Sequence, residues 1–329
     1  MCVMENVIGI DIHEEFVVGA IFDFKGKVLS RSSLFINPQD GYEICQVILE
    51  LVHRLASCTS LSLIQGVGVC LPGIANTKEQ IVWAPNIGGL INYPLEQELK
   101  KSLSQYKIEV VVASDRTCFI LGEKWKGQAQ DCTNAAFIAV SGGIGLGILL
   151  DGQIVHGHGD IVGSLGWMAV QTPFQDYYSK QGCLEYYASS RGIAKQAVQI
   201  LESQAPLYKE SILRHKELKS ISSQDVFLAY MKNDALAVRI LNQAIELWGM
   251  AAANVVSLFN PQKLIWGGTL FGPAQQFIGK IYEEACRWGQ PISMQQVSFE
   301  KSLLSGDAGL IGAAYLAIST LSKKNKLPL

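Results

Sequence analysis

The stretch VSGGIGLGILLDGQIVHGHGDIVGSLGWMAV, residues 140–170, constrains the fold of this chain more than any other. An apolar run over 135–140 breaks at Ser141-Gly142-Gly143-Ile144-Gly145, resumes as GLGILLDGQIV and turns at Asp151-Gly152. Apolar runs bounded by paired glycines and an Asp-Gly dipeptide predict two strands joined by a glycine turn, then a hairpin. Glycine reaches positive φ without steric cost, so such a turn can aim several backbone N–H groups at a phosphate. A glycine-rich hairpin that binds nothing explains the same residues.

Around this stretch the periodicity predicts an α/β protein. Residues 7–12 (VIGIDI), 16–23 (FVVGAIFD) and 27–36 (KVLSRSSLFI) read as strands, with Gly26 at the second turn. A helix over 41–56 precedes the strand GVGVCLPG, which closes at Leu71-Pro72-Gly73. The strand over 108–113 delivers Ser114-Asp115-Arg116-Thr117 onto a helix ending near Lys126-Gly127. Helices are expected over 185–201 or 191–203, over 223–232 and over 235–259; LIWGGTL then gives a strand and the turn Gly267-Gly268, and GDAGLIGAAYLA opens the last helix. No tandem repeat or low-complexity segment is visible. A chain of 329 residues, 49% hydrophobic, can bury large cores and is long enough for two domains. The expected lobes are 1–116 with about 309–322, and 117–308 with a helical segment over 188–260.

The glycine hairpin, Val162-Gly163-Ser164-Leu165-Gly166-Trp167 and Gly182-Cys183-Leu184-Glu185 together resemble the ROK family of bacterial sugar kinases and sugar-responsive repressors. The β-β-β-α-β opening resembles the ribonuclease H-like lobe shared by sugar kinases, actin and the Hsp70 ATPase. The resemblance implies a two-lobed ribonuclease H-like (sugar kinase/Hsp70/actin-like) fold, and it covers nearly the whole chain. It implies that Gly73 and Asn92 lie on sugar-side loops, where Leu90 replaces a usual tryptophan and alters pocket shape. Ser114-Asp115-Arg116-Thr117 stands at the family's N-D-A-N, which implies that Asp115 is the base that takes the sugar hydroxyl's proton during phosphoryl transfer. Asp115 could instead cap its helix. Glu185 is implied as a second sugar contact, or is a first-turn glutamate favoured by the helix dipole. Gly142, Gly143 and Gly145 are implied nucleotide contacts, and Gly267 and Gly268 match a place beside adenosine.

Several family features are lost. The phosphate turn D-x-G-G-T reads Asp11-Ile12-His13-Glu14-Glu15, which keeps the magnesium aspartate and discards the glycines and threonine. A carboxylate about 4 Å from a phosphate charge costs on the order of 4 kcal/mol at an effective dielectric near 20. Half of that would weaken nucleotide binding more than about tenfold. Longer-turn geometry that turns Glu14 and Glu15 to solvent would remove the repulsion, though not restore the cradle. Asp11, His13 and Glu15 alternate along the chain, which suits either a metal or a polar turn; no metal site is assigned. Ser164 stands for the family's glutamate. Trp167 stands for its histidine and either stacks on a pyranose face or fills the core. Asp176, Tyr178 and Cys183 stand for three zinc cysteines, so the structural zinc is expected to be absent. His156 and His158, without carboxylate or cysteine company, read as loop residues.

The remaining signals exclude whole classes of partner. A formal net charge of -2 and no basic run beyond Lys323-Lys324-Asn325-Lys326 leave no footprint for nucleic acid. No leader-like N-terminus and no stretch of about 18 apolar residues point to a membrane. Eight scattered cysteines without a C-x-x-C pair suit reduced thiols in a cytoplasmic protein, Cys70 and Cys118 as core residues. ROK repressors carry a winged helix-turn-helix before the first strand, which here begins at about residue 7, so direct DNA binding is not expected. A homodimer is implied by the family. Three functions stay open: a carbohydrate-binding sensor with degenerate ATP-phosphate and zinc motifs, an ATP-dependent sugar kinase using Mg-ATP, and a scaffold without a small ligand.

Overall fold

The computed structural model describes residues 6–38, 40–57, 60–203 and 206–325; residues 1–5 of the expected first lobe and Lys326 of the basic tail lie outside the described residues. In chain order come β1 (Asn6–Ile12), β2 (Phe16–Asp23), β3 (Val28–Phe35), α1 (Gly41–Ala56), β4 (Ile64–Leu71), β5 (Ile74–Asn76), β6 (Ile81–Trp83) and β7 (Ile91–Tyr93). α2 (Leu95–Leu103), β8 (Glu109–Ser114), α3 (Asp115–Lys126), β9 (Ala135–Val140), β10 (Ile144–Leu150) and β11 (Gln153–Ile154) follow. Then come α4 (Tyr178–Gln181), α5 (Cys183–Ala188), α6 (Ser190–Glu202), α7 (Ser223–Met231), α8 (Ala235–Phe259), β12 (Lys263–Gly267), α9 (Ile278–Trp288), α10 (Pro291–Gln296), β13 (Ser298–Lys301) and α11 (Ala308–Asn325). The chain divides into two compact units, 1–131 with 154–162 and 306–329, and 132–153 with 163–305.

The first unit is built on a sheet of order β3-β2-β1-β4-β8, in which β1 and β2, and β2 and β3, are antiparallel while β1, β4 and β8 are parallel. β1 is buried along its whole length and β4 nearly so, as unbroken apolar runs covered on both faces must be. On one face α1 presents Ile44, Ile48, Leu51 and Leu55, one helical stripe, to a core that includes Ile8, Ile10 and Val69. Asp40 starts α1 by accepting the Glu43 N–H at 2.8 Å. On the other face α11 comes so close that a Cβ on Gly9 or Gly68 would stand 2.4 Å from the Leu310 carbonyl oxygen or 1.8 Å from that of Ala313. The expected last helix thus seats against the first sheet. β5, β6 and β7 form a separate small sheet.

The second unit repeats this order with unrelated sequence: β11-β10-β9-β12-β13, where β9 is antiparallel to β10 and parallel to β12, and β12 is parallel to β13. Asp151 (φ 49°) and Gly152 (φ 73°) both take the left-handed conformation that a two-residue hairpin needs. Asp234 caps the 25-residue α8 through the Leu236 and Ala237 N–H groups, and left-handed Asn260 ends it. The helix expected over 185–201 is in fact two. Ser189 leaves helical backbone, donates its hydroxyl to the Glu185 carbonyl at 2.8 Å and accepts the Gly192 N–H at 3.0 Å, which ends α5 and starts α6.

Candidate functional site

In open α/β sheets ligands bind beyond the carboxyl ends of the parallel strands. In the first unit those ends deliver Asp11 from β1, Pro72-Gly73 from β4 and Ser114-Asp115 from β8. Asp11 is buried, 4% exposed. Its Oδ2 lies 3.3 Å from His13 Nε2 and faces Gly309 in the first turn of α11, where a helix N-terminus favours negative charge. Burial pulls the His13 pKa down, but the bond to Asp11 and its charge outweigh this and raise it.

β1 stops at Ile12, and the His13 N–H closes a tight turn on the Phe16 carbonyl at 2.8 Å while the imidazole stacks on the Phe16 ring at 4.4 Å. Glu15 therefore belongs to the turn and does not share a strand face with Asp11 and His13. Glu14 and Glu15 are exposed, so water screens their charge and the expected repulsion of phosphate weakens. Residues 13–15 nonetheless contain no glycine to form a nest of N–H groups.

Asp115 is the first residue of α3, not its cap. The cap is Ser114, whose hydroxyl accepts the Thr117 N–H at 3.4 Å and donates to the Thr117 hydroxyl at 3.3 Å. Burial pushes the Asp115 carboxyl up to about 6, against the pull of the Arg116 charge and N–H, and neighbouring Asp11 adds to the rise. The Arg116 guanidinium donates to the Gly73 carbonyl at 3.2 Å and so ties the turn after β4 to the start of α3. Arg116 has one signal in the sequence, an arginine where the N-D-A-N pattern has alanine. Gly73 is glycine for a packing reason, since a Cβ there would lie 2.3 Å from the Trp83 carbonyl oxygen. Asn92 is exposed in left-handed backbone (φ 53°). Leu90 is wholly buried in the core shared with α1 and does not shape a pocket wall. His156 does have carboxylate company: Nδ1 lies 3.1 Å from Asp160 Oδ1, and Asp160 Oδ2 accepts the Thr77 N–H and hydroxyl at 2.9 and 2.8 Å.

In the second unit the strand ends carry glycines. The turn after β9 spans Ser141–Gly143 alone, and Gly145 lies inside β10. Glu185 accepts the Ile144 N–H on Oε2 at 3.0 Å, and a Cβ on Gly143 or Gly166 would come within 2.9 or 2.5 Å of that oxygen. These glycines make room for a carboxylate. Burial raises the Glu185 pKa, opposed by the Ile144 N–H and the Arg191 charge. Arg191 lies against Gly142, its Nε 3.0 Å from where a Cβ would be. No sequence pattern points to this, because Arg191 comes near the turn only through the break at Ser189. Ser141 joins the two glycine turns: its carbonyl accepts the Ser190 N–H at 2.9 Å and its hydroxyl the Thr269 N–H at 3.0 Å. Gly268 (φ 90°) packs on the Val140 backbone and Gly267 on the Phe137 ring.

Ser164 is half-buried, its carbonyl accepting the Trp167 N–H at 3.0 Å. Trp167 is 54% exposed, so it is not a core residue. Trp167, Asp176, Tyr178 and Cys183 do not fit a zinc ion. An indole offers no ligating lone pair, the Tyr178 hydroxyl is bonded to that of Tyr187 at 2.7 Å, and Asp176 is exposed. Among the described residues no group of three or more His, Cys, Asp or Glu could hold a metal, and no helix is long and apolar enough to cross a membrane. Cys70 and Cys118 are fully buried, as expected of core thiols.

The model of the ROK family matches residues 7–320. A glucokinase of Halalkalibacterium halodurans is 28% identical over 317 residues, 94% of each chain. The xylose repressor of Bacillus subtilis is 23% identical over 262 residues, 78% of this chain and 62% of that protein. Among solved structures, a ROK family transcriptional regulator homologous to the E. coli MLC protein superposes with a TM-score of 0.82 at 26% identity, over 95% of this chain and 78% of the other.

Proposed function

The chain belongs to the ROK family, whose fold it has, and on that premise we propose that it binds a carbohydrate and reports its presence without efficient phosphoryl transfer. One observation supports this most: a desolvated carboxylate, Asp115, stands at the end of β8 beside buried Asp11, while the β1–β2 turn has no glycine nest for a nucleotide phosphate. A carboxylate freed from bulk water accepts sugar hydroxyls strongly, because charge-assisted hydrogen bonds gain in a low dielectric. In the second unit the glycine turn already faces the Glu185 carboxylate, which disfavours an added phosphate charge. The exposed Trp167 indole offers a flat apolar face of the kind that stacks on a pyranose. Sugar contacts at Gly73, Asn92, Ser114 and Ser164 belong to the same proposal, as does a homodimer.

A sugar kinase is the second reading. It is favoured by the Asp115 pKa of about 6, close to that of a working general base, and by Arg191 against the glycine turn. The glucokinase and repressor relatives are compatible with either role. Calorimetric titration with hexoses, N-acetylhexosamines and pentoses, paired with an assay for sugar-dependent ADP release, separates the two. Sugar binding without ADP release supports the sensor; ADP release that vanishes in Asp115→Asn establishes the kinase.

A further inference from the structure

The segment in which the family resemblance places a zinc site has a different interior here. Tyr178 (7% exposed) and Tyr186 (4%) are buried, and around them Tyr177 and Tyr187 complete a cluster of four rings. Tyr177 stacks on Tyr186 with ring centres 4.1 Å apart; Tyr178 meets Tyr177 edge-on at 4.8 Å, and Tyr186 meets Tyr187 edge-on at 4.9 Å. These are separations at which ring quadrupoles attract. The polar rims are satisfied within the cluster: the Tyr178 and Tyr187 hydroxyls bond at 2.7 Å, and the Tyr186 hydroxyl bonds to the Gln199 side chain. The Lys195 ammonium stands 4.5 Å from the Tyr186 ring centre.

We infer that this tyrosine cluster replaces the zinc ion as the element that orders the segment, so that the turn before α5 is held without metal. The cluster links three pieces of chain: α4 through Tyr178, α5 through Tyr186 and Tyr187, and α6 through Lys195 and Gln199. A zinc ion would cross-link such pieces by four bonds directed at one point. Interlocked rings cross-link them over a surface instead, and need no oxidation or metal supply. The position that matters is the adjacent one, for Glu185 immediately precedes Tyr186 on α5 and its carboxylate holds the Ile144 N–H, the first after the glycine turn. Loosening the cluster should therefore be felt at Ile144, in a peptide that contains no tyrosine.

The test is metal analysis and hydrogen exchange on the intact protein. Purified from zinc-supplemented cells, it should carry far less than one zinc per chain, and neither 1,10-phenanthroline nor added zinc should shift its Tm by more than about 1 °C. Tyr178→Ala should speed exchange in peptides covering 174–189 and 141–150 at least about tenfold while β12 stays protected. If that variant does not fold, Tyr187→Phe decides: losing the Tyr187 hydroxyl's bonds to Tyr178 and Tyr177 should speed the same two peptides about two- to fivefold. One zinc per chain with a Tm that collapses on chelation would overturn the inference. So would unchanged exchange in both peptides in whichever variant folds.

Discussion

The two units share a strand order and strand directions, yet place opposite chemistry at the ends of their parallel strands. The first delivers carboxylates, Asp11 and Asp115, from β1 and β8; the second delivers glycine turns from β9 and β12. In the first, glycines lie inside the sheet, where Gly9 and Gly68 let α11 approach. In the second they surround a side chain, since Gly143 and Gly166 make room for Glu185. The backbone thus sets where a site can form, and the residue types at a few strand ends set what it can bind. Glycine by itself does not mark a phosphate site: its neighbour here is a helix carbonyl in one unit and a carboxylate in the other.

The largest expected effect comes from filling a glycine of the first sheet. Gly68→Val should destabilise the protein by at least about 4 kcal/mol, because the Cβ meets the Ala313 backbone, which cannot yield. Calorimetry with hydrogen exchange should show the first unit losing protection while β9 and β12 keep theirs. Equal loss in both units would break the contrast drawn here.

Next in size is Asp115→Ala, which should weaken sugar binding about 100-fold, some 2.7 kcal/mol, in calorimetric titration. The same carboxyl has a signature without ligand. Its pKa is raised from 3.8 to about 6, so the folded state holds its proton more tightly than the unfolded state. Its stabilising effect is present in full below about pH 4 and is lost as pH rises through about 6. Asp115→Asn should flatten the fall in Tm across that window, and an unchanged Tm profile would contradict the burial argument.

Glu185→Gln tests the second unit. The amide oxygen can still accept the Ile144 N–H, so the fold should persist while sugar affinity drops about tenfold. His13→Ala should have the smallest effect, about 0.5 kcal/mol or less, because the His13 side chain is 37% exposed. The raised His13 pKa means the ionic part of this contribution is present below about pH 6.5 and disappears as pH rises past the folded-state value, so the gap between urea melts of variant and parent should narrow with rising pH to what the stacking on Phe16 supplies.

Local pattern made most of the fold legible: β1, β2, β9 and β10 are apolar runs between turn residues, and α1 and α8 cover the spans that their periodicity predicts. The strand order of the second unit was not legible, because it repeats the first without repeating any residue pattern. The break at Ser189 is not legible, because a serine that caps one helix while ending another looks like a mid-helix serine. Of the candidate site, Asp11, Asp115 and Glu185 are singled out by their places in the family's motifs, whereas their burial is not legible in the sequence. Arg116 and Arg191 could not, since their partners are a backbone carbonyl 43 residues away and a glycine turn reached through a helix break. Trp167 showed the same limit, for no sequence period says whether a lone tryptophan after a glycine faces core or solvent.

The most direct measurement of the central claim is a thermal-shift titration of the purified protein with a panel of sugars, each with and without MgATP, with ADP release followed in parallel. A sugar at 100 times its Kd should stabilise the fold by about 2.7 kcal/mol, MgATP should add nothing, and no ADP should form. Stabilisation by MgATP alone, or ADP release that depends on the sugar and on Asp115, would contradict the account.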